Sequence, residues 1–348
     1  MKKVSVIVPC YNCESYIDYC IQPLVHQTMG LENLEVILIN DASTDKSILK
    51  LAEYEQLYPD NIILIPLVEN MMQGGARNIG LQYATGEYIV FLDSDDYFME
   101  CALERLYQAA IEQDADIVEF TGHNVTEEER GKENKKFEAD KPKELEILDS
   151  IEKRKEFIIS GKSPLGCCFK FYKGDFIRKY QFRFAEHVAF EEPPFIYPMR
   201  FFEKKHYFLN EHLYYAYENP RSTMRYICRK AERKWDNLNA SLEALNQIQR
   251  FQEADNYKEE IEFFFLDNYF VLSMFVLVSR GFFVDLVTLR RMQKTVKEYF
   301  PEYQKNPYLQ RPEFILDKQI LKCVELSIDE DTIEEFNRQV ISIFEILQ

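Results

Sequence analysis

Five short apolar runs, at residues 4–8, 35–39, 61–65, 88–92 and 116–120, punctuate the N-terminal third of the chain, with helical patterns filling the gaps. Strand and helix alternating in this way specify an α/β domain. The runs are nearly continuous in Val, Ile and Leu, as expected of strands covered on both faces, so a Rossmann-like, mostly parallel sheet flanked by helices is predicted. Tyr16, Ile17, Cys20, Ile21, Leu24 and Val25 recur at helical spacing, as do Leu103, Leu106, Tyr107 and Ala110. Pro23 falls inside the first of these helices, where its missing N–H should kink or shorten it.

With 348 residues, 46% of them hydrophobic and 29% charged, the chain has room for two folded domains. Helical patterns dominate from about residue 231, including 235–251 and 332–347. A boundary is expected near Tyr226, dividing an α/β domain over 1–225 from an all-helical domain over 226–348. Residues 124–146 turn polar and charged and read as a solvated loop or protruding hairpin without fold-critical core. Residues 263–278 are strongly apolar, but Asp267 and Asn268 interrupt a run already short of the ~20 residues a spanning helix needs. A buried helix is predicted there and no transmembrane segment.

A net charge of -17 with no Lys/Arg stripe argues against nucleic acid as a partner. Eight scattered cysteines, and an N-terminal apolar stretch that stops at Pro9 with no cleavage site behind it, suit reduced thiols in a cytoplasmic protein. Cys10-x-x-Cys13 has no second pair at ligand spacing, so buried thiols are expected in place of a zinc site.

Ligands of an open parallel sheet bind beyond the carboxyl ends of its strands, which makes the residues after each run informative. The first run ends in Pro9, Cys10, Tyr11 and Asn12, the second in Asn40, Asp41, Ala42, Ser43, Thr44 and Asp45, and the fourth in Asp93, Ser94, Asp95 and Asp96. An aromatic ring, a lone carboxylate and a carboxylate cluster suit a base, a ribose and a metal-bound diphosphate. Residues two apart on an extended strand share a side, so Asp93 and Asp95 should present two carboxylates together. Such like charges call for a cation, and Mg²⁺ or Mn²⁺ takes oxygen ligands that it shares with substrate phosphates. Asp-x-Asp alone is more often an acidic turn or a helix N-cap; its place after a buried strand, with the motifs around it, favours the metal. In residues 70–80 (NMMQGGARNIG) two glycines precede Arg77 and Asn78 at a helix start, allowing close backbone approach. Arg77 there could brace the loops or contact a diphosphate. Neither a P-loop nor a dinucleotide fingerprint is present.

In this order and spacing, VSVIVPCYN, INDASTD, NMMQGGARNIG and YIVFLDSDD resemble the family-2 glycosyltransferases with the GT-A fold, over residues 1 to about 100. The resemblance implies that Pro9 and Tyr11 line the base pocket, Asp41 contacts uracil and Arg77 supports the nucleotide loops. It further implies that Asp93 and Ser94 serve the nucleotide and that Asp95, with Asp93, serves the metal. A carboxylate accepts the uracil imide N–H, which favours UDP, although thymine offers the same donor. Residues 184–195 (FAEHVAFEEPPF) resemble the family's second acidic block, usually Glu-Asp. Here Glu191-Glu192 stands instead, and Glu192 takes the place of the catalytic Asp on a side chain one methylene longer. Glu191, Glu186 and His187 are rival bases. Residues 214–225 resemble the end-of-domain segment, in which Arg221, Ser222 or Arg225 would close over the diphosphate.

The implied activity is inverting, Mn²⁺- or Mg²⁺-dependent transfer from a UDP-sugar to a hydroxyl of a glycan or lipid-linked glycan acceptor. Such enzymes decorate bacterial cell-surface polysaccharide from the cytoplasm or as peripheral proteins at the inner membrane face. The helical domain would hold the acceptor, form a homo-oligomer or touch the membrane. Two rivals stand beside this reading. One is a catalytically silent nucleotide-sugar-binding or scaffold protein, prompted by Glu192 and the motif-free C-terminal region. The other is a nucleotidyltransferase, which needs a Gly- and Lys/Arg-rich segment that PCYNCESYI lacks.

Overall fold

Seven successive buried residues form Val4–Cys10 (β1), and seven more form Leu34–Asn40 (β2) after the helix Ile17–Val25 (α1). The computed structural model describes residues 2–130, 142–220, 222, 233–279 and 281–345. Helix Ser47–Leu57 (α2) leads into Ile62–Pro66 (β3), and Met72–Tyr83 (α3) into Tyr88–Phe91 (β4). These strands run parallel in the order β3-β2-β1-β4. From β1 the chain winds first to β2 on one side and later to β4 on the other. That reversal opens a crevice at the carboxyl ends of β1 and β4. Pro23 lies in the last turn of α1, which stops at Val25.

Tyr97–Phe98 (β5), Ala102–Gln113 (α4), Ile117–Val125 (β6), Glu144–Ile147 (β7) and Ile151–Ile159 (α5) follow. Lys170–Lys173 (β8), Gly174–Tyr180 (α6), Pro193–Met199 (α7) and Lys205–Tyr217 (β9) complete the first unit. Here the sheet departs from the mostly parallel expectation and becomes mixed: β8 lies antiparallel between β4 and β6, while β9 is parallel to β6 but antiparallel to β5 and β7. A strand buried on both faces has the same apolar composition whichever way it runs, so the runs do not reveal direction. The polar stretch 124–146 also differs from its reading as core-free. Val125 and Arg130 are buried, and β7 pairs with β9; residues 131–141 lie outside the described residues.

The chain divides into two compact units, Met1–Ser222 and Thr223–Gln348. Tyr226, where a boundary was expected, and Cys228 lie outside the described residues, and the other seven cysteines are free thiols. Among its described residues the regular elements of the second unit are all helices: Asp236–Gln249 (α8), Lys258–Phe265 (α9), Ser273–Ser279 (α10), Leu286–Tyr299 (α11), Ile315–Leu321 (α12) and Ile333–Glu345 (α13) are the longer ones. Between α9 and α10 the wider π-helical turn Leu266–Leu272 leaves the Asn268 carbonyl to accept from Ser273 Oγ at 3.2 Å and Asn237 Nδ2 at 3.2 Å. The continuous helix Gln252–Ser279 has 28 residues and contains an 18-residue window of mean hydropathy 1.8, enough by length and composition to cross a membrane, but 67% of that window is buried inside the protein. It is a core helix, longer than its apolar run because polar residues supply its first turns.

Candidate active site

The loops after β1 and β2 are laced together by side chains. Asn12 N–H donates to Ser43 Oγ at 3.0 Å, Thr44 N–H to Asn12 Oδ1 at 2.8 Å and Cys13 N–H to Ser47 Oγ at 2.8 Å. The lacing holds Asn12 and Ala42 at φ of 49° and 54°, a left-handed conformation costly for Ala. Pro9 is buried in β1 opposite Ile39, and the Tyr11 ring beyond it is 47% exposed at the crevice edge. Asp41 is only 2% exposed. Its Oδ1 accepts from Met71 N–H at 2.7 Å and its carbonyl from Asn70 Nδ2 at 3.2 Å. Burial raises the Asp41 carboxyl, with the Met71 and Met72 N–H groups opposing. Asp41 thus anchors the loop that opens α3.

Gly74 lets α3 approach the 185–191 segment: a Cβ there would stand 1.9 Å from the Ala185 carbonyl oxygen and 2.7 Å from Glu191 Cβ. One turn on, Arg77 is 3% exposed. One terminal nitrogen donates to Asp93 Oδ1 at 2.7 Å, the other pairs with Glu191, and the guanidinium lies 5.4 Å from the Phe184 ring centroid. Each terminal nitrogen donates to a different acidic segment, so Arg77 braces the two segments against one another.

Pairing of β4 with β1 stops at Phe91, which frees the chain to turn. Asp93 to Asp96 form a turn closed by Asp96 N–H to the Asp93 carbonyl at 3.0 Å, not the extended strand end that the Asp-x-Asp spacing suggested. The carboxylates still gather. Asp96 accepts from Tyr214 OH and from Tyr217 N–H, each at 2.7 Å, and burial, with Asp93 and Asp95 adding, pushes it up to about 8. Asp95 Oδ2 accepts from Asn219 Nδ2 at 2.7 Å, and burial followed by the Asp93 charge raises it too. Ser94 sits in the same turn beside the Cys13 thiol.

Like charges whose ionisation is this unfavourable favour a cation among them. No ready-made cluster of three or more His, Cys, Asp or Glu ligands exists among the described residues. Asp93 and Asp95 each commit one oxygen to a protein donor, so they fit a Mg²⁺ or Mn²⁺ ion shared with ligand phosphates and not a closed all-protein cage.

The second acidic pair divides its work. Glu191 is buried against Arg77; burial, with Glu192 adding and Arg77 opposing, pushes its carboxyl up to about 7. Glu192, at the start of α7 and only half-buried, accepts Cys167 N–H on Oε1 at 2.6 Å. The segment carrying that donor is pinned by Lys170 Nζ to the Pro164 carbonyl at 2.6 Å and Tyr172 OH to the Cys167 carbonyl at 3.2 Å. Of the rival bases, Glu186 accepts from Asn78 Nδ2 at 2.9 Å, while the backbone N–H of exposed His187 donates to the Met71 carbonyl at 3.2 Å, on the Asp41 side. Ser222 N–H donates to the Asn219 carbonyl at 3.1 Å; Arg221 and Arg225 lie outside the described residues.

Tyr214, Tyr217, Asn219 and Arg130 around the acidic turn, and the Cys167 N–H, were not singled out from the sequence. The first three fall in YYAYENP, whose resemblance to an end-of-domain segment was the available signal. Nothing in that segment announces that β9 runs beside β5 and so reaches the turn.

A switch-point crevice, an acidic turn after the fourth strand and a second acidic pair tied to it through a buried arginine make up the arrangement of the GT-A glycosyltransferase class. Residues 5–177 match the model of glycosyl transferase family 2, and the chain belongs to that family. It is 35% identical over 247 residues to the minor teichoic acid biosynthesis protein GgaB of Bacillus subtilis, covering 67% of this chain and 25% of that one. It is 32% identical over 192 residues to the poly(ribitol-phosphate) beta-glucosyltransferase of Bacillus spizizenii, covering 55% and 28%. The aligned parts thus span about a quarter of these curated relatives. Among solved structures, S. aureus TarS 1-349 in complex with UDP-GlcNAc shares the fold, with a TM-score of 0.68 at 21% identity over 99% of this chain and 92% of that one.

Proposed function

We propose that this chain transfers a sugar from a UDP-sugar to an acceptor hydroxyl, with inversion and with help from Mn²⁺ or Mg²⁺, in the synthesis of a bacterial cell-surface glycan. The observation that carries the reading is the Arg77 brace, which ties the acidic turn to the second acidic pair at the crevice edge. The relatives' names and the UDP-GlcNAc complex of TarS lend support on donor and product class. Pro9 and Tyr11 flank the base and Asp41 selects uracil. Ser94 and Asp93 face the ribose and diphosphate. A divalent cation held by Asp93 and Asp95 would offset charge on the departing diphosphate. Glu192 takes the proton of the acceptor hydroxyl as its oxygen attacks the anomeric carbon from the face opposite UDP. Glu191 keeps Arg77, and through it the acidic turn, in register. Residues 1–225 form the catalytic domain, and the helical domain over 226–348 serves the glycan or lipid-linked glycan acceptor or a second copy. The work is done in the cytoplasm, at or near the inner membrane face.

Thermal stabilisation by UDP-, dTDP- and GDP-sugars with Mn²⁺ tests the donor. UDP-sugars should stabilise the chain most. Asp41→Asn, which keeps an acceptor oxygen for Met71 N–H but alters the partner offered to the imide, should erase the preference. Equal stabilisation of the unmodified protein by GDP-sugars would remove Asp41 from the base pocket.

A further inference from the structure

Arg130 lies in the turn after β6 and is 8% exposed. Its guanidinium stands 4.1 Å from the ring centroids of Tyr19 and of Tyr217 and 5.2 Å from that of Tyr16. One terminal nitrogen donates to the Asp95 carbonyl at 2.9 Å. Its carboxylate neighbour, Glu127, is 3.8 Å away with a side chain 68% exposed, too loose a pair to offset burial of the charge. The tyrosine faces and the Asp95 carbonyl, with the charge of the nearby Asp95 carboxylate, hold the guanidinium. The same cage reaches Asp95 by a second route: Tyr16 OH donates to Asn219 Oδ1 at 3.4 Å, and Asn219 Nδ2 donates to Asp95 Oδ2 at 2.7 Å. Asp95 is therefore gripped at its backbone and at its carboxylate by groups that converge in one cage, drawn from residues 16–19, 127–130 and 217–219.

We propose that Arg130 is a positioning residue that sets the acidic turn for a divalent cation, an inference that rests on Asp93 and Asp95 being the cation site. A surface arginine needs no three-ring cage to donate one hydrogen bond. The cage makes sense if the Asp95 carbonyl must not drift, because its carboxylate shares a metal whose coordination geometry is strict.

The test is Mn²⁺ titration by calorimetry of the full chain at saturating UDP, with kcat measured against Mn²⁺ concentration. Arg130→Ala should weaken Mn²⁺ by about 10- to 100-fold, the usual cost of an outer-shell partner, and excess Mn²⁺ should restore kcat. Arg130→Lys, which keeps the charge but not the planar stack, should recover part of the affinity. Tyr19→Leu opens one exposed face of the cage and should give an intermediate loss; it carries the test if Arg130→Ala does not fold. Mn²⁺ affinity unchanged in Arg130→Ala, or in Tyr19→Leu if only that variant folds, overturns the inference. So does a kcat loss that excess Mn²⁺ does not relieve. If the unmodified chain binds neither Mn²⁺ nor Mg²⁺, the cation-site reading itself has failed, and this inference goes with it.

Discussion

Arg77 sits buried between Asp93 and Glu191, so its replacement reports on how the two acidic segments depend on one another. Arg77→Met should destabilise the chain by about 3–5 kcal/mol in denaturant unfolding, because it leaves a buried carboxylate without its partner. A cost near zero would mean that the pair is incidental. Glu191→Gln should mainly lower stability, since Glu191 is committed to Arg77. Glu192→Gln separates chemistry from binding: the amide oxygen still accepts Cys167 N–H, yet the base is gone. Transfer should fall by about 100-fold or more while UDP affinity persists. The reverse ranking of the two variants in transfer would shift the base to Glu191. Glu192→Asp restores the residue usual in the family and asks whether the surroundings have adapted to the longer side chain.

The approach of α3 to the 185–191 segment depends on a missing side chain. Gly74→Ala would drive a methyl into the Ala185 carbonyl and should cost both thermal stability and UDP binding; full retention of both would mean that α3 shifts freely. In β9, His206 is 1% exposed, with Nδ1 2.9 Å from Glu203 and Nε2 3.2 Å from Glu119. Burial opposes the imidazolium, but Glu203 and Glu119 outweigh it and raise its pKa. A raised histidine contributes stability that is complete below its ordinary value of about 6.5 and lost as pH rises through the folded value. Glu119 is the mirror case: burial would raise it, but His206 and Lys170 hold it at about 2. Its contribution is present above the ordinary carboxylate range and lost as pH falls toward that value. His206→Gln should therefore lower the thermal midpoint most near pH 5–6 and progressively less above, as the imidazolium is lost in the unmodified chain. A loss independent of pH would mean that His206 is neutral.

The legible elements were those whose evidence is contiguous. β1, β2 and β4 read as aliphatic runs, and Tyr11, Asp41, Arg77 and Asp95 stand within or just after their motifs. The Asp-x-Asp pair was legible as residues but not as a turn, because nothing local shows where pairing with β1 ends. The direction of β8, the reach of β9 and the burial of Arg130 all depend on contacts between distant segments, and a charged stretch hides a caged arginine.

The two units pose separate questions. If residues 1–225 hold the whole nucleotide site, that fragment should bind UDP and Mn²⁺ as tightly as the full chain; a marked loss would assign part of the site to 226–348. The buried helix Gln252–Ser279 argues that the second unit has a core of its own. The most direct test of the whole account is UDP release. The full chain is incubated with UDP-sugars and Mn²⁺, with or without acceptor glycan, and free UDP is measured over time. The prediction is slow, cation-dependent release that acceptor accelerates, that chelator abolishes and that Asp95→Asn loses while the fold survives. A chain that binds UDP-sugars yet releases no UDP from any of them, with acceptor present, would be a silent binder and would contradict the account.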